Sequence, residues 1–210
     1  DGDVHTVVPG RPIGLHSETV AELGAQGVHI HFYGDFTHGQ WRAWIDRSRA
    51  LAPRRLHLHP TVDATGWVAE LSRYDAGWLH VFRSRNGGEI RRADWDDLNL
   101  PARMATLAAA GLPMLQRSNE GAIVATQSLA RALGTSVFFD EIEEIGGRLR
   151  DRAAVDDVRA AVLRSRAQFT FDAHVDRLVE FFRTTIDRTR AGRAGRAGPS
   201  RTSRAGAGIG

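Results

Sequence analysis

The 210-residue chain contains no cysteine and no lysine, and only two Met and two Tyr. Without thiols, neither a disulfide framework nor thiolate chemistry is available, which suits a reducing, cytoplasmic setting. No apolar run approaches the ~18 residues that a membrane span requires, and no stretch near the start reads as a secretory leader. What is present suffices for a core: 42% of the residues are hydrophobic and five are Trp. A chain of this length makes one large domain or two small ones.

All 28 basic residues are therefore Arg, set against 25 acidic ones, and the sequence pI is about 10.4. Such a pI invites a nucleic-acid reading, so the positions of the charges matter. Six of the Arg lie at or beyond Arg188, in a stretch without any acid. The other 22 are outnumbered by the 25 Asp and Glu, so residues 1–187 are mildly acidic. The excess sits in RTRAGRAGRAGPSRTSRAGAGIG, an Arg/Gly/Ala/Ser segment that has little to bury and is expected to be disordered. The expected organisation is a folded domain over 1–187 and a low-complexity tail over 188–210. Global charge then says nothing about a site in the folded part.

Along the chain, apolar strands alternate with helical patterns. Strands are expected at Val4–Val8, Val28–Tyr33, Leu56–His59, Gly77–Phe82, Pro113–Leu115 and Ser136–Phe139. Between them, helices are expected from Ser17 through Leu23, around Trp41, Trp44, Ile45 and Leu51, around Trp67, Val68 and Leu71, and over Ile123–Leu133. After Asp140 the pattern is helical to about Ile186, with Phe169, Phe171, Val175, Leu178, Val179 and Phe182 as an apolar stripe. This alternation predicts an α/β, Rossmann-like parallel sheet of about six strands with helices on both faces, followed by C-terminal helices and the basic tail. Ligands of such sheets bind at the carboxyl ends of the strands. The loops Gly10–Gly14, Gly34–Gly39, Arg83–Asn99 and Arg117–Gly121 all leave from that edge.

One stretch organises the rest: Trp95–Leu115, WDDLNLPARMATLAAAGLPML. Pro101 suits a first helical position, Asp96, Asp97 and Asn99 offer capping oxygens, and Ala102–Ala110 are small helix formers. Gly111 and Pro113 impose the stop. A helix so poor in bulk can lie close to a sheet or a ligand, and its start favours an anion. Arg103 in the first turn opposes the helix dipole unless an anion is present. A solvent-facing Arg bonded to Asp96 or Asp97 is the plainer alternative.

LPARMATLAAAGLPML resembles the segment L-P-N-K-x-x-E-Y-L-A-A-G-x-P-V of nucleotide-sugar-dependent glycosyltransferases of the GT-B type, group 1 or family 4-like. Leu100, Pro101, Leu107, Ala108, Ala109, Gly111 and Pro113 match. Arg103 stands for the usual Lys, and Thr106 for the Glu that holds the donor ribose. Asp75-Ala76-Gly77-Trp78-Leu79 is similar to the family's structural strand entry. The resemblance covers about Val4 to Phe182, tightly only within the organising stretch. It implies the C-terminal, donor-binding domain of such an enzyme, whose last helix braces the N-terminal domain. It also implies a nucleoside-diphosphate sugar as substrate, hexosyl transfer to a glycan or other acceptor, and no cofactor or bound catalytic metal. Peripheral membrane association of the full enzyme is compatible with it. Asp1-Gly2-Asp3 reads like a linker into a C-terminal half, so a preceding acceptor-binding domain is expected.

Within that frame, Gly10, Arg11, Arg83 and Arg103 are assigned to the donor diphosphate: Gly lets the backbone approach, and Arg forks onto the oxygens. Arg83-Ser84-Arg85-Asn86-Gly87-Gly88 reads either as an anion cradle or as a solvated loop. Arg91 and Arg92 read as surface partners of Asp94 or Asp96. Asn99, Leu100 and Thr106 would flank the nucleoside or ribose, and Glu120 with Gly121 the sugar or base, although a cap explains Glu120 equally well. Catalytic groups are not identifiable. His29 with His31, and His57 with His59, share strand faces by the two-residue period. They are expected to be polar positions near the sheet edges rather than a metal site, since structural zinc usually brings Cys or tight loop spacing. His16, His38 and His80 lie nearer the binding edge. Trp41, Trp44 and Trp67 are expected in the core. Two rival functions remain: a nucleotide-sugar-binding module without catalysis, and nucleic-acid binding through the tail. A sugar-nucleotide epimerase is weaker, because it needs acid and base groups between two domains.

Overall fold

The computed structural model describes residues 2–34, 39, 41–63 and 65–196, with side chains to 191. His38 and most of the Gly34–Gly39 loop lie outside the described residues. The chain divides into two compact units, Asp1–Phe169 and Thr170–Gly210.

The first unit is built on β1 (Val4–Pro9), β2 (Val28–Tyr33), β3 (Leu56–His59), β4 (Ala76–Trp78), β5 (Met114–Arg117) and β6 (Ser136–Phe139). Among the described residues these form one sheet in the order β3-β2-β1-β4-β5-β6, with every neighbouring pair parallel. Parallel neighbours need crossovers, and helices supply them. From β1 the chain winds outward through α1 (Ser17–Ala25), β2 and α2 (Arg42–Leu51) to β3. It then returns past α3 (Trp67–Leu71) to lay β4 on the other side of β1. The order therefore reverses between β1 and β4, and that point leaves a crevice at the strands' carboxyl ends.

Strand alternation sorts the core into two layers. Val4, Val8, Val28, Ile30, Phe32 and Leu56 face α1 and α2, joined by Ile145 and Leu149 of α7 (Ile145–Arg150). Trp44 stands edge-on to Phe32, their ring centroids 5.4 Å apart, as its helical spacing leads one to expect. The opposite layer holds Val7, Leu79 and Met114 against Met104, Leu107 and Ala108 of α5 (Arg103–Ala109), with Leu129 of α6 (Ala125–Leu133) and Val162 of α8 (Arg152–Ser165). The small residues of α5 allow a close approach: a Cβ added to Gly77 of β4 would sit 2.2 Å from Leu107 Cδ2. Trp78 is fully buried, and its indole N–H donates to Thr6 Oγ1 at 2.8 Å, whose hydroxyl donates to the His29 carbonyl at 2.9 Å. The buried polar atoms at this point are thus paired.

Three of the differences from the expected boundaries have an evident physical reason. β4 ends at Trp78 rather than Phe82, because the extended chain leaves the ladder to bond elsewhere: Val81 N–H donates to the Ile13 carbonyl at 3.1 Å. That docking requires Gly14, whose φ is +77° and whose added Cβ would fall 1.7 Å from the Val81 carbonyl oxygen. The Trp95–Leu115 stretch is two helices rather than one. α4 (Trp95–Leu98) carries a capping box formed by Asp94 and Asp97, so Asp97 caps α4 and not α5. Pro101 disfavours helical geometry at Leu100, and α5 starts afresh at Arg103 with Ala102 as its cap residue and no side-chain cap.

The third difference lies in the second unit. Its helix α9 (Val175–Arg196) runs past Ile186, so residues 188–196 are helical where disorder is expected. Extending an existing helix avoids the nucleation cost, and Arg and Ala extend well enough to carry Gly192 and Gly195. Residues 197–210 lie outside the described residues. Leu178, Val179, Phe181, Phe182 and Ile186 are exposed on this helix. Phe169, expected in the same stripe, instead belongs to the first unit and packs on its second core layer. Among the described residues, no helix is long and apolar enough to cross a membrane.

Candidate functional site

The crevice at the β1–β4 reversal is a cleft of about 600 Å³. Its floor is Pro9 at the end of β1, Gly10, Arg11 and Ile13 from the following loop, and His80 beyond β4. Its wall is the turn from α4 to α5: Trp95, Asp96, Asn99, Leu100, Pro101, Ala102 and Arg103. Five of the nine residues assigned from sequence meet here: Gly10, Arg11, Asn99, Leu100 and Arg103.

Arg103 is held in place by its own backbone surroundings. Its guanidinium donates to the Trp78 carbonyl at 3.3 Å and to the Arg11 carbonyl. It also lies 3.7 Å from where a Cβ on Gly10 would be. Burial, and then the positive charge of Arg11, lower its pKa to about 10, so it stays charged at neutral pH. Among the described residues neither Arg11 nor Arg103 forms an ion pair with a carboxylate, and the alternative bond from Arg103 to Asp96 or Asp97 is not present. Two like charges in a partly desolvated cleft repel, and an anion between them removes the penalty. His80 belongs to the same set. Burial lowers its pKa, as do Arg103 and Arg11, while Asp96 opposes the shift. The imidazole is therefore neutral at pH 7 and offers both a donor and an acceptor.

Thr106 faces a neighbouring apolar cleft of about 480 Å³, shared with Tyr33, Val62, Trp67 and Leu71. Pro9 and Gly10 line both clefts and form the ridge between them. Glu120 and Gly121 lie in a third cleft, with Ser118, Gln127, Arg131 and Arg148.

Arg83 does not join Arg11 and Arg103. Its guanidinium donates to Glu141 Oε1 at 2.6 Å, and Arg117 donates to the other oxygen at 2.6 Å, so the carboxylate clamps both. The glycine-rich loop that follows is stapled rather than open. Asn86 is fully buried, donates to the Ile123 carbonyl at 2.8 Å, and accepts from Gly88 and Ile123 N–H at 2.9 and 3.0 Å. Asn119 accepts from Ser84 N–H at 2.7 Å and donates to the Phe82 carbonyl at 3.2 Å. These two Asn fix the loops after β4 and β5 to each other. An amide in a glycine-rich turn is the only sequence signal of that role. Arg92 pairs with Glu89 at 3.2 Å instead of with Asp94 or Asp96. His16 is exposed at the start of α1 and makes no capping hydrogen bond.

No protein-family model matches the chain, and no curated protein matches it in sequence. Solved structures with a similar course do exist. One is AviGT4, a glycosyltransferase involved in avilamycin A biosynthesis, at 15% identity and a TM-score of 0.56 over 88% of this chain and 52% of that one. Others are the C-terminal CMP-Kdo-binding domain of WaaA from Acinetobacter baumannii and the accessory secretory proteins 1, 2 and 3 of Streptococcus pneumoniae. For the WaaA domain the identity is 6% and the TM-score 0.48, over 78% of this chain and 89% of that one. For the secretory proteins they are 8% and 0.49, over 89% and 35%. At such identities the likeness is one of fold, and this chain spans about half the length of AviGT4. What the comparison establishes is a shared fold: the six-stranded parallel sheet and its helices follow the course of about half of AviGT4.

Proposed function

We propose that this chain is the donor-binding half of a glycosyltransferase and that the β1–β4 cleft holds the diphosphate of a nucleoside-diphosphate sugar. The observation that carries the reading is the pair Arg11 and Arg103, set without carboxylate partners among the described residues at the reversal of strand order. Each guanidinium can fork onto phosphate oxygens, and Gly10 leaves room for them. Transfer breaks the bond between the sugar's anomeric carbon and a diphosphate oxygen. The two cations stabilise the charge that develops on that oxygen, and the acceptor hydroxyl passes its proton to a base of the acceptor-binding domain as the new bond forms. Neutral His80 hydrogen-bonds the diphosphate or the sugar from the cleft floor. Trp95, 78% exposed at the mouth of the cleft, offers a face on which a base can stack. An acceptor-binding domain would supply the groups that this cleft lacks.

Isothermal calorimetry with a panel of nucleoside diphosphates and their sugars tests this directly. Binding that needs both the diphosphate and Arg103 supports it. Equal, weak heats for every phosphate, unchanged by Arg103→Met, would refute it. Sugar transfer by the chain alone would overturn the requirement for a second domain.

A further inference from the structure

The face of β1, β2 and β3 turned toward α3 carries five imidazoles where an apolar layer is ordinary. Strand register sets His5 beside His29, His31 beside His57, and His59 beside Tyr33. Two hydrogen-bonded chains result. In one, His29 Nδ1 meets His57 Nε2 at 2.7 Å while His29 Nε2 faces Asp3 Oδ2 at 3.1 Å. In the other, His31 is central, with Nε2 at 2.9 Å from His5 Nδ1 and Nδ1 at 2.8 Å from His59 Nε2. The chains stack on each other: the centroids of His5 and His29, and of His31 and His57, are 4.5 Å apart. Among the described residues, no three His, Asp or Glu surround a common point as metal ligands would.

Proton counting limits what this array can hold. Every N···N hydrogen bond accommodates one proton, because two N–H groups cannot point at each other. A chain of linked rings can therefore carry one imidazolium and no more. Five rings hold at most two extra protons while all these bonds survive, whereas five separated rings hold five.

We propose that this imidazole ladder is a proton-operated latch, which joins β1, β2 and β3 when neutral and loosens that half of the sheet progressively as the pH falls below about 6.5. The surroundings offer little relief to added charge. Asp3 is already engaged by Arg55 at 2.6 Å, and Glu70 by Arg73 at 2.5 Å and by the Tyr33 hydroxyl. Asp75, which accepts from His5 N–H, is engaged by Arg152 of α8 at 2.5 Å. Tyr74 and Tyr33 close the α3 side with uncharged hydroxyls 2.7 Å apart. Burial, and then the neighbouring rings, hold His31 down to about 3. His57 and His59 are lowered too, burial being the largest cause for each. A base whose folded pKa is depressed binds fewer protons folded than unfolded. Its stabilisation is whole above about pH 6.5 and is lost as the pH falls toward the folded value. Three rings released together would change the opening equilibrium by up to a thousandfold per pH unit. Because β1 leads directly into Gly10 and Arg11, opening would also dismantle the cleft; only that consequence rests on the function proposed above.

Amide hydrogen exchange of the full chain without ligand, corrected for intrinsic rates, tests the latch from pH 7.5 to 5. The expected result is opening of β1–β3 amides increased at least a hundredfold, while β5 and β6, which carry no His, change less than threefold. The His57→Gln/His59→Gln variant should flatten that dependence at least tenfold. Should the variant not fold, side-chain ¹⁵N spectra of the native chain decide. Depressed, mutually linked imidazole titrations support the latch. Five independent titrations near pH 6.5, with exchange in β1–β3 no steeper than in β5 and β6, overturn it. Neither arm involves a nucleotide, so failure of donor binding leaves this test intact.

Discussion

At the residue scale, Arg103 is where the proposed binding can be told apart from stability. Its guanidinium is kept near Arg11 by two carbonyls, and burial and that neighbour lower its pKa to about 10. Arg103→Met removes two hydrogen bonds, each worth about 1 kcal/mol, but also removes a desolvated charge and its repulsion. The expected change in unfolding free energy is within about 1 kcal/mol, read by urea titration. Affinity for a nucleoside diphosphate should fall about 10- to 100-fold, as removal of a charge-assisted phosphate bond implies. A variant that loses stability and binding together would make Arg103 a packing residue. Thr106 gives the complementary test. It stands one turn along α5 from Arg103, where the resembling segment has Glu, and it faces the apolar side of the Pro9–Gly10 ridge. Thr106→Glu should tighten nucleotide binding about tenfold if a carboxylate there reaches the ribose. Weaker binding in the same calorimetric series would mean that the new carboxylate neutralises Arg103 instead.

At the scale of elements, the fit of α5 against β4 decides where the cleft wall stands. Gly77→Val would drive a side chain into Leu107, whose Cδ2 lies 2.2 Å from even the first added carbon. Overpacking of this kind costs about 1–3 kcal/mol. The added Leu107→Ala change should recover part of it, a coupling that a double-mutant cycle in denaturant measures. Elements were legible to different degrees for physical reasons. β2, β3 and β6 have the expected bounds, because an apolar or β-branched run closed by Gly, Pro or Asp is a local signal. The end of β4 was not legible, since Val81 leaves the ladder for a partner about 70 residues earlier, at Ile13. That Gly10, Arg11 and the Leu100–Arg103 turn meet in one cleft was legible through their resemblance to a family's motifs. The pairing of Arg83 away from that cleft was not legible, because its partner, Glu141, lies in the loop after β6. The histidines show the same limit. Period-two spacing reveals His29 with His31 and His57 with His59, but the addition of His5 and the ring-to-ring bonds depend on cross-strand register, which no single strand encodes.

At the scale of the whole molecule, net charge and site charge come apart. The formal charge of +3 arises from the Arg-rich end, while residues 1–187 have more acidic than basic groups. Long-range attraction of polyanions is set by clustered exposed charge, and phosphate recognition in a cleft by a few oriented groups. Deleting residues 188–210 takes away six Arg and no acid, so the formal charge changes sign. Part of that segment is the end of α9, but none of it belongs to the first unit, which contains the cleft. The truncated chain should bind nucleoside diphosphate within about twofold of the full chain. Any retention on a heparin or single-stranded nucleic-acid column at low salt should disappear, because the counterion release that drives it scales with the number of phosphates that Arg neutralises. Loss of nucleotide binding on truncation would instead tie the tail to the site, and the cleft's two arginines would no longer suffice as an account of anion recognition.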